Sequence, residues 1–208
     1  MNKKETYRRK AIESFGTKFN LFIFKKALHG NPIQFDQSDF QRFEIDQTLV
    51  DEYTTVYWQL KADNQLVWSS GKEHTINDLY KVIMAFKKDN QGLIDELRKH
   101  YITYDFPKRF SYEDFEKLTN QDHCAYCGIT SKMIEELGDE KRMLRKKNLR
   151  GWSLEIDRKD SNLEYSYNNC VMACYWCNNA KTDEFTPEEF LPIGKAIGQV
   201  WASRFNTQ

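Results

Sequence analysis

Residues 174–183 read CYWCNNAKTD, and residues 121–128 read QDHCAYCG. Taken alone, the first stretch fits half of a metal clip, a redox dithiol, or a clip built against a reactive centre. The second stretch supplies a matching half, because each contains a C-x-x-C pair. A C-x-x-C turn aims two thiolates at one point, and two such turns complete the tetrahedral site that Zn²⁺ prefers. Cys124, Cys127, Cys174 and Cys177 are therefore read as ligands of a structural zinc. The competing readings are a redox pair or four unrelated buried thiols. Gly128, directly after the first pair, suits the tight turn of a knuckle. Cys170, the fifth cysteine, reads as a small core residue. A site with four sulfur ligands has no open position and performs no chemistry by itself.

The rest of the composition describes a water-soluble chain. Its 208 residues suit one domain plus an extension. Charged residues make up 30% and aromatics 14%, enough for a core rich in Phe and Tyr. No apolar run approaches the roughly 18 residues of a membrane span. The N-terminus MNKKETYRRK lacks an apolar segment of the secretory kind. A cytoplasmic location with reduced thiols and no membrane contact is expected. Lys plus Arg and Asp plus Glu each number 31, so the chain as a whole is not a polyanion binder. The charge is uneven, however. Lys141, Arg142, Arg145, Lys146, Lys147 and Arg150 form a run without acids, and Lys3, Lys4, Arg8, Arg9 and Lys10 form a second cluster.

The apolar spacing predicts a mainly helical part over residues 1–110. Leu49, Val50, Tyr53, Val56, Tyr57 and Leu60 recur at helical intervals, although 54–68 is also good strand material. A second helix is predicted over 75–100, with a break available at Gly92. Pro107 is read as ending any helix and marking a boundary. Ser111, three residues before Asp114, predicts a capped short helix. Near the end, Thr186 and Pro187 predict a helix start, with Phe190, Ile193, Ile197, Val200 and Trp201 on its apolar face. Between these, Leu154 and Ile156 alternate into a strand ending at Asp157. A polar loop, a second strand at 170–173 and a helix from the second knuckle follow.

This last segment resembles the ββα-metal core of HNH (His-Me finger) endonucleases in their zinc-knuckle form. The resemblance rests on Cys124, Cys127, Asp157, Asn169, Cys174, Cys177, Asn178 and Lys181, and it spans roughly residues 120–185. It implies an α+β chain: a mostly helical part over 1–110, then a zinc-stabilised ββα-metal module over 111–208 with a C-terminal helix. It further implies a catalytic Mg²⁺ or Mn²⁺ held by oxygens of Asp157 and Asn178, hydrolysing DNA phosphodiester bonds. Asn169 would brace the loop and orient the catalytic residue. Lys181 and the 141–150 run would contact nucleic acid. A homodimer or a protein partner would serve cutting of both strands.

One position departs from the family pattern. Arg158 stands where a His usually acts as general base. A guanidinium has no acceptor and a pKa above about 12, so it cannot take the proton. His123 and Asp160 are the alternative bases. Arg158 itself suits stabilisation of a phosphorane. A catalytically inactive zinc-knuckle module that binds nucleic acid or a partner protein is the other reading. Tyr165, Tyr167, Tyr175, Trp152 and Trp176 surround these residues, and packing about a small module explains them before base stacking does.

Overall fold

The structure, a computed structural model, describes residues 2–29, 33–51, 53–54, 66–67, 73–74, 76–139 and 151–206. It is α+β, and its described residues divide into two compact units. The first comprises Met1–Arg109 with Asn162–Glu164, and the second Phe110–Ser161 with Tyr165–Gln208. No helix among the described residues is long and apolar enough to cross a membrane.

Helix α1 (Lys3–His29) organises the first unit. Phe15, Phe19 and Phe22 recur at intervals of four and three, which puts them on one helical face. All three are buried against Phe40 of α2 (Gln37–Arg42), with ring centroids 5.4–6.0 Å apart. Aromatic pairs at such separations add to the burial itself. Strands β1 (Leu66–Val67) and β2 (Glu73–His74) form a short antiparallel pair within the mainly helical part, β1 falling in the 54–68 stretch read as helix or strand. Leu49, Val50 and Tyr53 are described, and Val50 and Tyr53 are buried. Val56, Tyr57 and Leu60 lie outside the described residues.

The predicted helix over 75–100 is two helices, α3 (Ile76–Asp89) and α4 (Gln91–His100). The break falls at Asn90 rather than Gly92, and the Asn90 side chain donates to the Phe86 carbonyl at 2.9 Å. Pro107 does not end the helix. A π-turn at Tyr101–Asp105 leads directly into α5 (Phe106–Arg109). Pro lacks an N–H, and its ring clashes with the carbonyl four residues back. The wider turn relieves that conflict, because Phe106 N–H bonds the Tyr101 carbonyl five residues back.

Tyr101 is buried in the first unit, within a polar cluster. Its hydroxyl donates to Glu164 and lies 3.0 Å from Ser14 Oγ. Arg109 approaches Glu164 at 3.4 Å and also pairs with Glu44. Lys18, buried, lies 5.2 Å from the centre of the Phe40 ring. Burial pushes the Glu164 carboxyl up despite these cations.

In the second unit, Ser111 caps α6 (Tyr112–Thr119), its Oγ accepting from Asp114 N–H at 3.0 Å. Helix α7 (Ser131–Asp139) buries Ile134 and Leu137. Strands β3 (Glu155–Arg158) and β4 (Cys170–Ala173) pair antiparallel, with Asp157 opposite Val171 and Arg158 opposite Cys170. Cys170 is buried. Helix α8 (Tyr175–Lys181) follows at once.

Helix α9 (Pro187–Asn206) starts with the expected cap: Glu189 N–H bonds Thr186 Oγ1, and Glu189 Oε2 accepts from Thr186 N–H. Its buried face matches the expected one only in part. Ile193 and Val200 are exposed, while Phe190, Gly194 and Trp201 are buried. The glycines explain the rotation. A Cβ on Gly194 would stand 2.8 Å from Tyr126 Cβ, and one on Gly198 would stand 2.5 Å from the Cys127 carbonyl oxygen. The helix backbone thus lies directly on the first knuckle. Phe190 meets Tyr126 edge-on at 5.2 Å, and Trp201 meets Trp176 at 4.8 Å.

Three substitutions test these environments. Gly198→Ala must push backbone from backbone and should cost about 1–3 kcal/mol in thermal or urea unfolding. Gly16→Ala, with nothing within 4 Å of the added methyl, should instead stabilise α1 by up to about 1 kcal/mol. Glu164→Gln should raise the melting temperature at pH 7. A carboxyl whose folded pKa is raised binds its proton more tightly in the folded state, so stability falls as pH rises from the ordinary carboxylate range through the raised value. The advantage of Gln should therefore vanish on acidification below about pH 4.

Candidate active site

The two knuckles are built by backbone bonds before any ion is considered. In the first, Gly128 N–H bonds the Cys124 carbonyl at 2.9 Å, and Gly128 adopts φ 74°. A positive φ is one that glycine adopts without steric cost. Ala125 N–H bonds the Met172 carbonyl at 2.8 Å, which ties this knuckle to β4. In the second, Cys174 is the N-cap of α8, its Sγ accepting from Cys177 N–H at 3.5 Å.

The four sulfurs of Cys124, Cys127, Cys174 and Cys177 lie within 4.8 Å of one another, and Cys127 and Cys174 approach to 3.6 Å. A tetrahedron with metal–sulfur bonds of about 2.3 Å has edges of about 3.8 Å, so the set fits one metal ion. Three of the cysteines are buried and Cys127 is half-buried. Their ionisation is divided. Hydrogen bonding from Cys127 holds the Cys124 thiol down, whereas Cys174 and Cys177 are pushed up by their bonds to Cys124.

A second constellation lies on β3 and α8. Strand alternation puts Glu155 and Asp157 on one face of β3. Asn178 and Lys181, three apart, share a face of α8. The two faces meet in register: Asn178 Nδ2 donates to Glu155 Oε2 at 2.9 Å, and Lys181 Nζ lies 3.7 Å from Asp157 Oδ2. The Tyr126 hydroxyl also donates to Asp157 Oδ2, at 2.7 Å. Asp157 is 8% exposed and Lys181 1%. Burial raises the Asp157 carboxyl, and the bonds from Tyr126 and Lys181 oppose it. Among the described residues, Oδ1 of Asp157 and Oδ1 of Asn178 take no hydrogen bond. Both are oxygen donors, one of them anionic, the ligand type that a hard divalent cation takes.

The other residues singled out in the sequence are placed as follows. Asn169 holds Asp160 by both backbone groups: its Oδ1 accepts from Asp160 N–H at 3.0 Å and its Nδ2 donates to the Asp160 carbonyl at 2.9 Å. This brace fixes the turn that follows β3, where Lys159 N–H also bonds the Asn169 carbonyl at 2.7 Å. Arg158 points to the opposite face of β3 from Asp157, with its guanidinium 4.8 Å from the Tyr165 ring centre. His123 is 56% exposed and its Nδ1 lies 3.1 Å from Asp122. Lys181, expected at a phosphate, is buried with its ammonium on Asp157 and on the Thr182 carbonyl at 3.2 Å. Lys141, Arg142, Arg145, Lys146, Lys147 and Arg150 lie outside the described residues.

Two features escaped the sequence reading. Glu155 was visible only as the residue two before Asp157, a position that strand alternation places beside it. Thr182, which ends α8, has φ 54° and ψ −153°, a conformation that costs a β-branched residue of order 1–3 kcal/mol. Its Oγ1 donates to the Lys181 carbonyl at 2.7 Å. No signal in the sequence announces it.

No family model matches this chain, and no curated protein does. Among solved structures, the chain is similar to the rare-cutting HNH restriction endonuclease PacI, whose structure is described as exhibiting an extraordinary mechanism of DNA perturbation. The likeness covers 46% of this chain and 67% of that one, at 29% identity and a TM-score of 0.40.

The four-thiol geometry leads to a direct measurement. Elemental analysis of the purified protein should find one zinc per chain. Cys174→Ser should remove it and lower the melting temperature by many degrees, because the ion's binding energy is folding energy.

Proposed function

We propose that this chain is a metal-dependent endonuclease of the HNH type, hydrolysing DNA phosphodiester bonds. One observation supports the reading: across the β3–α8 contact Asn178 bonds Glu155 and Asp157 pairs with Lys181, and Asp157 and Asn178 each keep one oxygen without a hydrogen bond. The spacing of Asp157, Asn169, Asn178 and the four cysteines supports it.

In this reading zinc sits among Cys124, Cys127, Cys174 and Cys177 and fixes the start of α8. Mg²⁺ or Mn²⁺ is held by Asp157 and Asn178, where it would stabilise charge on the leaving 3′ oxygen. The chain's own residues do the rest. Tyr126 and Lys181 bind one oxygen of Asp157 and leave the other directed elsewhere. Asn169 holds the Asp160 backbone, and so the turn that carries Asp160 as a candidate base. Water adds to phosphorus, the bond to the 3′ oxygen breaks, and a 5′-phosphate and a 3′-hydroxyl result. Arg158 cannot accept the proton of that water, and its guanidinium stands against the Tyr165 ring on the face of β3 away from Asp157, so it takes no part in the step. The basic run at 141–150 supplies contacts to the DNA backbone. A dimer, or two successive nicks, would cut both strands.

The reading of a non-catalytic nucleic-acid clamp is favoured by one feature, the engagement of Arg158 with the Tyr165 ring at 4.8 Å. Incubation with supercoiled plasmid separates the two. Nicked and linear products should form with Mg²⁺ or Mn²⁺, disappear with EDTA, and fall to background in Asp157→Ala. DNA binding without cutting under every cation condition would instead establish the clamp.

A further inference from the structure

Glu155 accepts a hydrogen bond from the side-chain amide of Asn178. An asparagine amide has a donor end and an acceptor end of nearly equal size, and only its hydrogen bonds tell them apart. A carboxylate is acceptor-only, so the atom lying 2.9 Å from Glu155 Oε2 must be Nδ2. The opposite orientation would set Oδ1 against a carboxylate oxygen and present an N–H₂ where a cation needs an oxygen. Both ends of this bond are held in place. Glu155 pairs with Ala173 at the start of β3, and α8 is capped by Cys174.

We propose that Glu155 is a positioning residue for the cation site: by accepting from Asn178 Nδ2 it turns Asn178 Oδ1 toward the ion. This rests on the nuclease reading, but it assigns a role to a residue outside the motif that led to that reading. Glu155 need not touch the ion. It acts by fixing a hydrogen-bond polarity, as outer partners of metal ligands commonly do.

A polarity argument can be tested by reversing the polarity. Mn²⁺ binding to the full-length, zinc-loaded protein is followed by electron paramagnetic resonance, with zinc content and melting temperature showing that each variant is folded. Glu155→Gln is nearly isosteric, and its amide can bond Asn178 in either orientation. It should weaken Mn²⁺ binding about 10–100-fold. Asn178→Asp alone places two carboxylates in contact and should also depart from wild-type binding. The double variant, Glu155→Gln with Asn178→Asp, restores one donor facing one acceptor, now with Gln donating. It should recover most of the lost affinity, which two independent structural defects would not do. If the wild type binds Mn²⁺ and Glu155→Gln binds it equally well, the positioning role is overturned and the nuclease reading stands. Additive losses in the double variant overturn it too. If the wild type, with zinc in place, binds no Mn²⁺, the cation site itself is refuted and both inferences fall together.

Discussion

Four sulfur atoms within 4.8 Å of one another set the main constraint on the second unit. Such a group is neither a hydrophobic cluster nor a set of independent thiols, because each ionisation changes the next. One cation at the centre would resolve the conflict and would close the chain between residues 124 and 177 into a loop. That loop contains both strands and the start of α8. Ordering it costs conformational freedom that the ion's binding energy would help to offset. The strands are four residues each, too short to persist as an isolated pair.

The clip alone would leave the first knuckle exposed on one side. Helix α9 covers it by an approach close enough that even a methyl group is excluded at two positions. This contact is backbone to backbone, and such contacts tolerate little adjustment because neither side can choose another rotamer. The aromatic contacts at either end, Phe190 on Tyr126 and Trp201 on Trp176, keep the helix from sliding. Tyr126 then connects packing to chemistry. Its ring meets α9 while its hydroxyl reaches Asp157, so the C-terminal helix and the buried carboxylate share one side chain.

Much of this was legible in the sequence where chemistry dictates spacing. Paired C-x-x-C motifs, the strand ending at Asp157, the Ser111 and Thr186 caps and the ββα order are local patterns with local causes. What escaped has non-local causes. The buried face of α9 was read only in part: Phe190 and Trp201 are buried as expected, but the closest approach is made by Gly194 and Gly198, which a count of apolar side chains passes over. The break at Asn90 follows a side-chain bond to Phe86, and the continuation through Pro107 follows a π-turn. Neither leaves a compositional trace. Glu155 escaped because it bonds Asn178 across the β3–α8 contact, and Lys181 because burial, which a sequence does not display, turned a surface-type residue inward.

Lys181 gives the site a further property. With no other ion present, its ammonium already compensates the buried charge of Asp157, so the pocket has a resident counter-ion in every copy of the protein. A cation held at the other carboxylate oxygen would join that lysine, not replace it. The carboxylate it met would already be largely compensated, so a monovalent ion would gain little there for the water it shed, and a divalent ion would gain more.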